Sequence, residues 1–222
     1  MHDREYTFDL SGGIACLDFA NTISDRDLPQ PREHLGSYDD LVAFARQVGI
    51  VSDELAARLR EGAAARPDEA EATHRRAVAL REALFRVFTS VTDGRAPSHE
   101  DLAHLNREMG AALAQLRVDR RAGGRPALAP GWPDGPDEGA YAWTWAEPSR
   151  RLDAPLWPLA RQAAELLVGG ELERVRACAA GDCAWLFLDT SKNRSRRWCD
   201  MKSCGNRAKV RRFYRRKREA QA

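Results

Sequence analysis

Four of the five cysteines in this 222-residue chain fall within residues 178–204, as Cys178-x4-Cys183, fifteen intervening residues, and Cys199-x4-Cys204. Two close pairs at that separation let one tetrahedral ion staple two chain turns together. The x4 spacing is looser than the common x2 but lies within the range of structural zinc sites. Four thiolates leave no coordination position open, so the pattern points to one structural Zn2+ and not to a catalytic metal. Four unrelated buried cysteines would not need two matched pairs, and in a reducing compartment such clustering favours a metal over disulfides. Cys16 stands alone and reads as a small buried residue, since a redox role would need an exposed, low-pKa thiolate.

Cations crowd around the same window. From Arg176 onward there are 14 Lys and Arg against 4 Asp and Glu, while the preceding chain carries 21 against 29. An acidic body with a tail of net charge +10 suggests that the tail meets a polyanion. The candidate contacts are Lys192, Arg194, Arg196 and Arg197 at a turn, and Asn206, Arg207, Lys209, Arg211, Arg212, Arg215 and Arg216 on a helix expected from about Asn206 to Arg218. Like charges at i, i+4 destabilise an isolated helix, so stacking them implies a partner that relieves the repulsion. A phosphate backbone does so, and arginine binds it bidentately. Asn206 could read an adenine edge, although an Asn beside a knuckle more often satisfies backbone groups.

These residues need a scaffold. Ala184 to Asp189 reads as a strand with Trp185 and Phe187 on one face and Leu186 and Leu188 on the other. Arg197-Trp198 is expected to return as its hairpin partner, and Gly181 to supply a positive φ in the first knuckle. Val210, Phe213 and Tyr214 form a seam on the last helix that could pack on this hairpin. Knuckle, hairpin and basic helix describe a treble-clef-like finger with four cysteine ligands, a unit too small to fold without its metal.

The preceding residues read as mainly helical, with a small β component. Tyr6 to Leu10 alternates like a short strand and ends at Gly12-Gly13; Cys16 to Thr22 reads as a short helix and Asp25 to Ser37 as a loop. Ser37 or Asp39, Ser52, Pro67, Ser98 and Asp153 mark helix starts, and the helix after Ser98 is expected to reach Leu116. Gly123 to Gly139 reads as loop, and Tyr141 to Trp145 as a half-buried strand. The expected organisation is α+β, with a helical domain over 1–170 and the finger over 171–222.

The C-terminal residues Trp198-Cys199-x4-Cys204-Gly-Asn-Arg207-Ala-Lys, preceded by Leu186-Phe-Leu-Asp-Thr190, resemble the CGNR zinc finger, named for Cys204 to Arg207. Gly13-x3-Leu17-Asp-Phe-Ala-Asn-Thr22 is similar to the opening motif of the domain that accompanies this finger in a family of stress-induced bacterial transcription regulators. The resemblance implies DNA binding.

Asp18, Asn21 and Thr22 are polar residues in an apolar setting beside Gly12-Gly13, and could line a small-ligand pocket or tie backbone groups. Trp132, Trp143, Trp145 and Trp157 suit core or interface packing. The histidines form no catalytic or metal set, and no nucleophile–base pair stands out, so an enzyme is not expected. No run of about 18 apolar residues is present and the N-terminus lacks the apolar core of a secretory signal, so the expectation is a cytoplasmic protein without membrane contact. The reading is a regulator that binds double-stranded DNA, with a body that senses a small-molecule effector or forms a homodimer. An RNA- or ribosome-associated factor and a protein-interaction module are the alternatives.

Overall fold

The computed structural model describes residues 6–26, 28–120 and 140–219. Seven α-helices and three two-stranded antiparallel sheets make up these residues, an α+β fold dominated by helix. The centre is α4 (Pro67–Thr92), 26 residues and so about 39 Å long. Its stripe of Ala77, Leu80, Leu84, Val87 and Phe88 is buried. α1 (Ala15–Ala20), α2 (Tyr38–Gln47), α3 (Asp53–Ala65) and α5 (His99–Leu113) pack around it, and α6 (Leu156–Val168) lies against α1 and α5. No helix among the described residues is long and apolar enough to cross a membrane.

Local signals set most helix boundaries. The hydroxyls of Ser37, Ser52 and Ser98 accept hydrogen bonds from the amides of Asp40, Leu55 and Asp101, each satisfying a donor that the first turn leaves over. Pro67 fills the first position of α4, where no amide is needed. Long-range ion pairs then fix the short β1 (Ile23–Ser24) and β2 (Arg32–Glu33) onto α4. The Arg81 side chain is 2% exposed and donates to Glu33 and Glu82, while Arg26 pairs with Glu82 at 2.7 Å and lies 3.9 Å over the Phe85 ring.

Several expectations are corrected. Tyr6 to Leu10 forms no strand, because both backbone groups of Phe8 are taken by the Gln47 side-chain amide, at 2.8 and 2.6 Å. α5 stops at Leu113, and Leu116 instead opens β3 (Leu116–Arg120), which pairs with β4 (Tyr141–Trp145). Asp153 does not cap α6: its carboxylate faces Arg151 and Arg76, and Pro155 precedes the helix. Trp145 and Trp157 are buried with centroids 5.6 Å apart, whereas Trp143 is half exposed. Trp132 and the expected loop over 123–139 lie outside the described residues.

The hairpin of the C-terminal module is also rearranged. Leu186–Leu188 (β6) pairs with Val175–Ala177 (β5), upstream of the first knuckle, and not with Arg197-Trp198. The Cys178–Cys183 knuckle therefore sits between the strands of its own hairpin. Residue 197 instead reaches the knuckle through its carbonyl, which accepts from Ala179 N–H at 2.8 Å. Gly181 has no positive φ; in the following turn that conformation belongs to Arg194, at φ 48°.

Candidate metal centre and nucleic-acid interface

The hairpin brings Cys178 and Cys183 together, and a π-helical turn over Met201–Gly205 brings Cys204 back toward Cys199. Asp200 caps that turn by accepting from the Ser203 amide at 2.7 Å. All four sulfurs lie within 4.8 Å of one another, with Cys183 to Cys199 at 3.7 Å and Cys199 to Cys204 at 3.5 Å. A tetrahedral ion with thiolate bonds of about 2.3 Å needs sulfur–sulfur edges of about 3.8 Å, so the quartet fits such an ion. Disulfides need about 2.05 Å, and the cysteines are free.

Cys178, Cys183 and Cys199 perturb one another. Hydrogen bonds from the Cys183 and Cys199 thiols lower the Cys178 pKa. The same contacts push Cys183 up to about 12 and raise Cys199 as well. A divalent cation held among the sulfurs would offset the repulsion between thiolates. Around the sulfurs, the Cys199 amide donates to Cys178 Sγ at 3.4 Å and Arg207 Nη2 to Cys204 Sγ at 3.1 Å. Phe187 packs on this cluster, flanked by Trp185 and Trp198.

α7 (Asn206–Glu219) leaves from the π-helical turn and has no buried residue. Val210, Phe213 and Tyr214 are 54%, 63% and 56% exposed, so the expected packing of this seam on the hairpin does not occur. Lys209, Arg212 and Arg216 are exposed on α7, and among the described residues no carboxylate pairs with them. Arg215 pairs with Glu219 at 3.9 Å. One flank of the helix, with Lys202, Ser203, Asn206, Arg207, Val210 and Arg211, lines an open groove of about 390 Å³.

Other expected contacts are occupied internally. Asn206 donates to the Lys202 carbonyl at 3.0 Å and so takes the backbone role. Arg211 grips Asp182 of the first knuckle at 2.6 and 3.2 Å, and Arg207 reaches the same carboxylate at 3.3 Å. Arg194 pairs with Glu173, and Arg197 lies 5.6 Å over the Trp198 ring. Arg196 is a clamp: it stacks 4.5 Å over Phe187 and donates to the carbonyls of Trp198, Cys199 and Ser11. Lys192 is exposed. Asp189, which composition did not single out, organises this turn. Burial pushes its pKa up, but bonds from Ser191 and the Arg196 amide outweigh that and hold the carboxyl below its usual range.

The family model described as "Putative stress-induced transcription regulator", ABATE, matches residues 13–170, and that of the CGNR zinc finger matches residues 174–217. The chain belongs to the ABATE family. No curated protein matches it.

The opening motif of the ABATE domain, Gly13 to Thr22, touches the finger directly. The Asn21 amide donates to the Leu186 carbonyl at 2.8 Å and accepts from the Leu186 N–H at 2.9 Å. Thr22 Oγ1 donates to the Phe19 carbonyl at 2.8 Å. Asp18 accepts from the Gly12 N–H at 2.7 Å; burial, only partly opposed by that bond, pushes its pKa up to about 7. The cleft beside them, with Tyr6, Phe8, His34 and Trp185, holds about 10 Å³, room for about one water. Of the two roles expected for these residues, Asn21 and Thr22 take the backbone one. Cys16 is fully buried, with its thiol pKa raised by desolvation.

Proposed function

We propose that this ABATE-family chain is a cytoplasmic transcription regulator that holds one structural Zn2+ in its four cysteines and binds double-stranded DNA through α7. The observation that carries the reading is a fourteen-residue helix anchored at one end by the cysteine cluster, with no buried side chain and seven cations among its exposed residues beyond Arg207. Such a helix has the charge to follow a phosphate backbone and the width for a major groove. Lys209, Arg212, Arg215 and Arg216 are the primary phosphate contacts, with Lys192 and Arg197 at the neighbouring turn. The closed four-thiolate shell supports a scaffold role for the ion, and binding in place of catalysis. The family description supports regulation under stress, with the body as the part that receives an effector or a second subunit.

A second reading, single-stranded or looped RNA, draws on the exposed Phe213 and Tyr214, whose rings suit unstacked bases. Fluorescence anisotropy with a random duplex and an RNA hairpin, titrated from about 50 to 200 mM salt, separates the two. The expected result is tighter duplex binding, with a log–log salt slope that falls by about 0.9 per lost contact in Arg212→Ala/Arg216→Ala. An unchanged slope would place the contact surface elsewhere, and preferential hairpin binding would favour RNA.

A further inference from the structure

We infer that the Gly12–Thr22 segment is the seat on which the metal-binding module is held, so that cysteine-bound metal and the body's N-terminal segment stabilise one another. The inference rests on the metal assignment above and is independent of the nucleic-acid ligand.

The strand β6 is shared between two cores. Leu186 and Leu188, 0% and 5% exposed, belong to the body core with Leu17 and Phe19 of α1. Phe187, fully buried between them in sequence, belongs to the cysteine cluster. The period of two in a strand makes one three-residue element a wall of both.

The edges of β6 are divided in the same way. On one edge it pairs with β5, and the carbonyl of adjacent Trp185 accepts from the amide of Cys178, a metal-ligand candidate, at 2.8 Å. On the other edge no third strand exists among the described residues, and the body supplies substitutes. The Asn21 side chain takes both backbone groups of Leu186, and the Gly12 carbonyl accepts from Leu188 N–H at 2.8 Å. Trp185 Nε1, just before the strand, donates to the Ile23 carbonyl at 3.1 Å, and Arg196, in the turn that follows it, to the Ser11 carbonyl at 2.9 Å.

Two glycines shape the seat. A Cβ on Gly12 would lie 2.7 Å from Asp18 Oδ1 within the segment itself, and Gly13, beside Leu188, has φ +80°, a conformation that side-chain-bearing residues rarely adopt. A carboxamide presents a donor and an acceptor together to a backbone edge, as Asn21 does for Leu186 and Gln47 for Phe8. Asn21 is thus a positioning residue for the module, 165 positions away in sequence from the strand it holds. Because the knuckle cysteines sit in the loop of the same hairpin, whatever orders that hairpin is linked to this seat, and the linkage is reciprocal.

The test measures Zn2+ affinity of the full chain by competition with a chromophoric chelator, for the parent, Asn21→Ala and Thr22→Val. Thr22 lies in the same segment but bonds within it, so its variant separates coupling from general loosening. Asn21→Ala is expected to weaken Zn2+ about tenfold while Thr22→Val stays within about twofold. Trp185→Phe, which keeps an aromatic ring and removes one tie, serves if Asn21→Ala does not fold; about threefold weakening is expected. Hydrogen exchange on the parent gives the reverse reading: removing Zn2+ should accelerate exchange of the Asn21 and Leu186 amides. Equal affinities for the parent and the tie variants, or equal losses in Asn21→Ala and Thr22→Val, would overturn the inference alone. A parent that takes up no Zn2+ would overturn the metal assignment and the inference together.

Discussion

Replacing Asp18 with Asn should stabilise the protein in a pH-dependent way. Asp18 is 6% exposed, accepts one hydrogen bond from the Gly12 amide and has its pKa pushed from 3.8 up to about 7, with burial as the main cause. In the unfolded chain the carboxyl ionises near pH 4. Below that pH both states hold the proton and the carboxyl contributes no difference. Between about pH 4 and 7 the native state holds more protons than the unfolded state, so this group makes stability fall as pH rises. Above about 7 the penalty is complete. At 1.36 kcal/mol per unit, a displacement of about three units corresponds to at most about 4 kcal/mol. Asn keeps an acceptor for Gly12 and never ionises. The stability of Asp18→Asn minus that of the parent, from urea midpoints at saturating Zn2+, should therefore climb between about pH 4 and 7 and then level off. Acid weakening of the cysteine–metal bonds acts on both proteins, and the same titration without Zn2+ separates it from the contribution of Asp18. A difference that stays flat across this range would refute the assigned burial penalty.

Two further predictions concern the finger. Asp182→Asn removes the carboxylate that grips Arg207 and Arg211, and should raise duplex affinity about threefold at about 50 mM salt, with a steeper salt dependence; anisotropy titration measures both, and weaker binding would mean that Asp182 chiefly positions α7. Leu188→Ala truncates a side chain that β6 buries in the body core and should cost about 3 kcal/mol in a urea titration, whereas a loss under about 1 kcal/mol would contradict its placement there.

Several features of this protein follow from short-range chemistry and were legible along the chain. Hydroxyl caps at Ser37, Ser52 and Ser98 act within one helical turn, and the stripe of α4 repeats every three or four residues. The spacing of the four cysteines identifies them as one ligand set because a tetrahedral ion constrains residue type and loop length. The alternation across Trp185 to Leu188 likewise assigns those side chains to two faces before any partner is known.

Partners distant in sequence were decided only by the tertiary structure. Nothing local to β6 says that it pairs with β5 upstream of the knuckle, because either neighbour supplies equivalent backbone donors and acceptors. Arg196 and Arg211 carry the same charge as Arg212, yet the first is occupied by three carbonyls and the second by Asp182. Charge is a property of composition, but its availability depends on which groups the fold brings within reach. The same holds for Asp18, Asn21 and Thr22, whose polarity in an apolar setting was compatible with a pocket or a brace. The brace follows from the placement of Leu186 against Asn21, a contact across 165 residues that no local pattern encodes.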